Sequence, residues 1–336
     1  MLIVKMKAMA NECLDFVKLQ KRKERVALLS VISNSFLVVF KIFIGVLIGS
    51  VAIISEAIHS AMDLLASFIA MFSVKTSHIP ADEKHPFGHG KIENISGLVE
   101  AALIFVAAFW IIFEAAKKFN SPQTIELAGW GVAVMLLSAV LNFIVSRQLF
   151  KIGKESDSIA LQADAWHLRT DVYTSLGVMV SLAIIWLGHW LFDDPPIHWL
   201  DPAAAIFVAL FILRAAYYLT YQSIRDLMDV KLPADEEESI RNIITSHQPV
   251  VHGFHQLRTR KAGNYRFIEF HIKVDPQMTV ISSHDVTRDL KQHIYEKFSQ
   301  SSVTIHIEPS DGNCDAKCVA GCLLTEEKRT FLFPDK

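Results

Sequence analysis

Residues Val26–Ser73 read VALLSVISNSFLVVFKIFIGVLIGSVAIISEAIHSAMDLLASFIAMFS. A helix needs about 20 mostly apolar residues to cross the hydrocarbon core of a bilayer. This stretch holds two such runs, 27–49 and 51–73, with the break at Gly49-Ser50. It therefore predicts a tight pair of membrane helices. The first run is followed at once by a second and has no clear small-residue cleavage site, so it is not a cleaved signal peptide. Similar runs at 95–117, 126–149, 158–191 and 200–222 make six spans. The fifth is long enough to begin outside the hydrocarbon.

The composition agrees. The chain has 336 residues, 51% of them hydrophobic and 20% charged, against about 25% charged in ordinary soluble domains. Its mean hydropathy is +0.32. Residues 231–336 hold 29 charged side chains in 106 positions, while residues 1–230 hold 39 in 230. That split predicts a membrane-embedded first two-thirds and a soluble last third. The expected domains are an N-terminal extension (1–25), a six-helix membrane domain (26–222), a soluble domain (231–310) and a cysteine-containing tail (311–336). This composition excludes a disordered chain or a disulfide scaffold. The net charge of -2 carries no footprint of nucleic-acid binding.

Short-loop Lys and Arg set the orientation. Lys18, Lys21, Arg22, Lys23 and Arg25 precede span 1. Lys75, Lys84 and Lys91 follow span 2, and Arg147, Lys151 and Lys154 follow span 4. The opposite side has only Lys117 and Lys118. Both termini are expected in the cytoplasm, with the soluble domain beside them.

In that domain, Leu232-Pro-Ala-Asp-Glu-Glu-Glu238 predicts a helix start with acids in its first turn, and the helix runs to about Ser246. Val251–Arg260 and Arg266–Val274 read as strands joined at Ala262-Gly-Asn264. Ser282–Phe298 reads as a helix and Val303–Ile307 as a last strand. The order α-β-β-α-β gives a small two-layer α+β domain.

Ionisable residues inside spans are costly and mark function. Span 2 carries Ser55-Glu-Ala-Ile-His59-Ser-Ala-Met-Asp63, and span 5 carries Asp164-Ala-Trp-His167-Leu-Arg-Thr-Asp171. In each, the i, i+4 spacing puts His and Asp on one helix face. If the faces meet, two imidazoles and two carboxylates make a tetrahedral zinc shell. The alternative is two separate polar pairs. Glu56 and Asp164 are either proton-handling neighbours or interfacial residues. In the loop after span 2, Asp82, His85 and His89 offer three further N/O ligands, or form an ordinary polar loop. His255, His271, His284 and His306, with Glu308, form a third set, which spacing alone does not separate from scattered surface histidines.

Together these features resemble the cation diffusion facilitator family of metal exporters over residues 26–310. The resemblance rests on the six spans, the paired four-residue motifs, the loop Asp82-Glu-Lys-His-Pro-Phe-Gly-His-Gly-Lys91 and the strand Gly253-Phe-His-Gln-Leu-Arg-Thr-Arg260. It is similar to bacterial zinc/proton antiporters, which are homodimers with a metallochaperone-like cytoplasmic domain. The resemblance implies a transport site of His59, Asp63, His167 and Asp171, and a loop zinc site of Asp82, His85 and His89. It also implies zinc ligands His255, His271, His284 and His306 at a cytoplasmic dimer interface, with Glu308 where bacterial relatives carry Asp. Lys91 and Asp229 match a salt bridge that ties the membrane dimer to the cytoplasmic domain. Zn²⁺ would be both substrate and structural or regulatory ion. Bacterial relatives often have Asp where this chain has His59; vertebrate zinc transporters have His there, a version associated with preferring zinc over cadmium. Imidazole suits zinc, whereas all-oxygen shells suit manganese or magnesium. A broader Zn/Cd/Co/Fe/Ni exporter is the alternative.

The expected activity is secondary active transport in an inner membrane, with membrane lipid, Zn²⁺ and H⁺ as partners. No G-x-x-x-x-G-K-[ST] motif signals ATP use, and no H-E-x-x-H signals a metalloenzyme. In the tail, Cys314, Cys318 and Cys322 are spaced i, i+4, i+8 and are soft-metal ligand candidates or incidental small residues.

Overall fold

The computed structural model describes residues 2–48, 51–120, 129–191, 200–310 and 322–324. The chain divides into two compact units, Met1–Arg225 and Asp226–Lys336.

The first unit is built from long helices: α1 (Leu2–Ile48), α2 (Val51–Ser77), α3 (Lys91–Asn120), α4 (Gly129–Glu155), α5 (Ile159–Leu191) and α6 (Leu200–Leu227). Among the described residues five of them, all but α5, are long and apolar enough to cross a membrane. α5 is 33 residues long, and its second half is apolar by sequence, so the fold is six membrane helices. α1 has 47 residues, about 70 Å at 1.5 Å per residue. The N-terminal extension is thus continuous with the first span, because the sequence holds no Gly or Pro before Gly45 to stop the helix.

The packing is apolar outside and small or polar inside. Phe43, Val46, Phe109, Trp110, Phe207 and Tyr217 are exposed, while Ala66, Ala70, Ala101, Ala108, Ser30 and Ser67 are fully buried. That is the pattern of helices that face lipid and meet each other through small residues. α1 packs on α2 and α4, α5 on α3 and α4, and α2 on α3 and α5.

The second unit follows the order α7 (Ala234–Thr245), β1 (Gly253–Ala262), β2 (Tyr265–Val274), α8 (Val280–Lys297), β3 (Ser301–Pro309). α7 opens with Asp235, Glu236 and Glu237 in its first turn, where acids favour the helix dipole. α8 starts two residues before the expected Ser282, because the Thr279 side chain caps it by accepting from the Ser282 N–H. β1 and β2 are antiparallel and turn at Gly263, whose φ of +60° suits glycine. β2 and β3 are parallel across the α8 crossover, giving sheet order β1-β2-β3. Ile240, Ile244, Phe254, Ile268, Phe270, Ile272, Leu290 and Ile294 form the core between helices and sheet.

Candidate metal centres

In the helical unit, α2 and α5 bring their His-Asp faces together. Asp63 and His167 are buried, and His167 Nε2 lies 3.1 Å from Asp63 Oδ1. His59 Nε2 lies 3.5 Å from Asp171 Oδ1. The pairs therefore form between the helices, His of one with Asp of the other, and not within each. Ligand atoms of His59, Asp63 and Asp171 lie within 4.8 Å of one another. α4 joins the site through Asn142, whose amide donates to Asp171 Oδ2 at 3.4 Å. The side chain of His59 is 50% exposed, against 9% for His167. One edge of the site is open and the other is enclosed.

Asp164 lies one turn away, fully buried. It accepts from Ser67 Oγ at 3.1 Å, and Ser67 meets Asn34 at 2.7 Å and Ser30 at 2.9 Å. These contacts join α1, α2 and α5. Asp164 is therefore interior and not interfacial. The side chain of Glu56 lies outside the described residues.

The helical unit also holds charges that sequence reading did not single out. Lys23 and Glu93 form a buried ion pair at 2.6 Å, and Glu93 also accepts from Ser77 at 2.9 Å and Ser158 at 2.6 Å. Lys41 donates to Ser60 at 2.8 Å, and Glu100 accepts from Ser96 at 3.1 Å; both residues are buried. Lys41 and Glu100 lie inside spans, so the cost of intramembrane charge was a usable signal for them.

The loop after α2 folds on Asp82. Its Oδ1 accepts from the main-chain N–H of His85 at 2.6 Å and of Lys84 at 2.9 Å. His85 Nδ1 is 3.2 Å from Oδ1, and His89 Nε2 is 3.6 Å from Oδ2. The three ligand atoms lie within 4.8 Å of one another. The His85 main-chain hydrogen bond, aided by Lys84 and the His85 ring, holds the Asp82 carboxyl below the usual carboxylate range. Gly88, at φ +78°, makes the turn that returns His89 to Asp82.

In the second unit the sheet register aligns histidines from all three strands: His255 opposes His271, and His271 opposes His306. Ring centroids are 5.1 Å and 4.7 Å apart along this row. Glu308 bonds His271 Nδ1 at 2.8 Å and lies 3.4 Å from His255 Nε2 and 3.8 Å from His306 Nε2. Burial alone raises the Glu308 pKa, but the His271 hydrogen bond and the three rings outweigh it and hold the carboxyl below its usual value. A bulge between His255 and Arg258 lets β1 keep His255 on this row. His284 is exposed on α8 and does not join the cluster within one chain. Asp229 pairs within its own unit with Arg260 at 3.3 Å. Cys314 and Cys318 lie outside the described residues. Cys322 is half-buried, and its main chain forms an isolated antiparallel bridge with Gly253 at the start of β1.

Residues 27–228 match the cation efflux transmembrane domain, and residues 232–310 match the cation efflux protein cytoplasmic domain. An uncharacterized transporter of Synechocystis is 37% identical over 78% of this chain and 82% of its own length. The cation-efflux pump FieF of Citrobacter koseri is 31% identical over 85% of this chain and 92% of its own. The metal-bound C-terminal domain of the CzcD transporter of Thermotoga maritima is 33% identical, covers 24% of this chain and 93% of that one, and has a TM-score of 0.22. With both domains matched in order, the chain belongs to the cation diffusion facilitator family and is a cation efflux transporter.

Proposed function

We propose that this transporter moves Zn²⁺ out of the cytoplasm in exchange for protons, by alternating access around His59, Asp63, His167 and Asp171. The observation that carries the reading is the crossed pairing of α2 and α5, His167 on Asp63 and His59 on Asp171. Two imidazoles and two carboxylates suit a borderline dication, and the two carboxylates balance its charge. Each ligand must lose its proton to bind metal, so metal entry and proton release are linked. Imidazole titrates near pH 6.5, in the range where a transmembrane pH difference changes its occupancy. When the site opens outward, incoming protons take the ligands and the metal leaves.

The protein works as a homodimer in the bacterial inner membrane, with both termini in the cytoplasm. Asp82, His85 and His89 hold a loop zinc. His255, His271, His306 and Glu308, joined by His284 at the dimer interface, hold regulatory or structural zinc. A second reading, a broad exporter of Zn, Cd, Co, Fe or Ni, is favoured by the half-exposed His59, a ligand with room to shift with ion size.

Proteoliposomes with an imposed pH gradient and a metal-sensitive dye inside test both readings. Zinc-selective flux that collapses with the gradient supports the zinc/proton exchanger. Comparable flux of several metals supports the broad exporter, and flux indifferent to the pH gradient refutes proton exchange.

A further inference from the structure

Beyond the three clusters above, another set of ligand-type side chains converges in the second unit. His247 follows α7, and Asp289 and His293 stand one turn apart on α8. One ligand atom of each lies within 4.8 Å of the other two. His247 Nε2 is 3.3 Å from Asp289 Oδ2, and the two rings meet edge to face with centroids 5.1 Å apart.

The orientation of the rings is a second, independent observation. His247 Nδ1 lies 2.8 Å from the Ile243 carbonyl, and His293 Nδ1 lies 2.9 Å from the Asp289 carbonyl. A carbonyl only accepts, so each Nδ1 is the donor in these contacts, which leaves Nε2 of the neutral ring as the metal-binding atom. Metal-binding imidazoles are held in this way, with the second nitrogen fixed on a carbonyl or carboxylate. The His247 side chain is 12% exposed, whereas Asp289 and His293 are about half exposed. One ligand is therefore fixed and two are reachable from solvent.

We propose that His247, Asp289 and His293 form an additional binding site for a transition-metal dication of the zinc class. The ligands are His247 Nε2, an Asp289 carboxylate oxygen and a ring nitrogen of His293. With bonds of about 2.0–2.1 Å, ligands in a tetrahedral zinc shell sit roughly 3.4 Å apart. The His247–Asp289 pair already has that spacing, and the half-exposed His293, within 4.8 Å of both, closes the rest by a small movement of the α8 side chains. Water takes the fourth position. The ion would clamp the end of α7 to the middle of α8, apart from any transported ion.

Full-length protein in lipid nanodiscs is equilibrated with Zn²⁺, and bound zinc per chain is counted for wild type, His247→Ala, His293→Ala and the double variant. Each single variant is expected to lose one zinc per chain, and the double variant no more than that one. An unchanged count in either single variant, or a loss of two in the double, overturns the site. A readout free of folding defects uses the wild type: zinc should slow diethylpyrocarbonate modification of His293 at least tenfold, and Asp289→Ala should remove most of that protection. Equal modification rates with and without zinc overturn the proposal.

Discussion

Lys23→Met is expected to be among the most disruptive single changes in the helical unit. The Lys23 and Glu93 side chains are 3% and 0% exposed, and their charged atoms are 2.6 Å apart. At an effective dielectric constant near 20, that separation gives an attraction of about 6 kcal/mol. Desolvating the two ions costs several kcal/mol each, so the intact pair contributes little net stability. Removing one partner is different, because the other stays buried and uncompensated, at a cost of about 3–5 kcal/mol. Lys23→Met leaves Glu93 with only the hydroxyls of Ser77 and Ser158. Glu93→Gln leaves Lys23 without its counter-charge. The double variant Lys23→Met/Glu93→Gln carries no buried charge at this junction and should cost less than either single change. Reversible unfolding by denaturing detergent, followed by tryptophan fluorescence in bicelles, measures all four proteins. Single variants within about 1 kcal/mol of wild type would show that Lys23 and Glu93 are not a coupled buried pair, as would a double variant whose cost equals the sum of the singles.

Three further outcomes are expected. Gly97→Ala should destabilise the helical unit by about 1–3 kcal/mol, because an added Cβ would lie 2.6 Å from the branched Ile159 side chain and 2.9 Å from Ser223; the same unfolding titration measures it. Thr259→Val should cost about 1–3 kcal/mol in thermal unfolding, since Thr259 accepts from the Leu232 N–H at 3.1 Å and donates to the buried Glu237 at 2.9 Å. Glu308 has a folded pKa below its unfolded value, so its stabilising contribution is present above the ordinary carboxylate value and is lost as pH falls through the depressed one. Hydrogen exchange of β1–β3 should show that acid loss in wild type, and Glu308→Gln should remove this component of it.

The membrane helices were legible because their length and composition leave few other solutions. The meeting of His59, Asp63, His167 and Asp171 was legible because two matching four-residue spacings each put His and Asp on one face. Their crossed pairing was not, since it depends on how α2 and α5 rotate against each other. His255, His271 and His306 fall on expected strands, but spacing alone does not separate them from scattered surface histidines, and the placing of His255 depends on a bulge that no residue pattern announces. Lys23 and Glu93 look in the sequence like ordinary flanking charges. Only their packing beside Ser77 and Ser158 makes them interior. His247 lies over 40 residues from Asp289 and His293. Of that set the sequence shows only the i, i+4 pair on α8, which by itself reads as a solvated helix face.

If His59, Asp63, His167 and Asp171 act as one ion site, transport cannot bypass any of them. The direct measurement is zinc flux into proteoliposomes for each of the four single alanine variants, beside His85→Ala and His271→Ala as controls with their membrane helices intact. All four variants are expected to lose flux to background while folding and inserting normally, and both controls to retain measurable flux. Wild-type-like flux in Asp63→Ala or Asp171→Ala would rule out a single obligatory ion site.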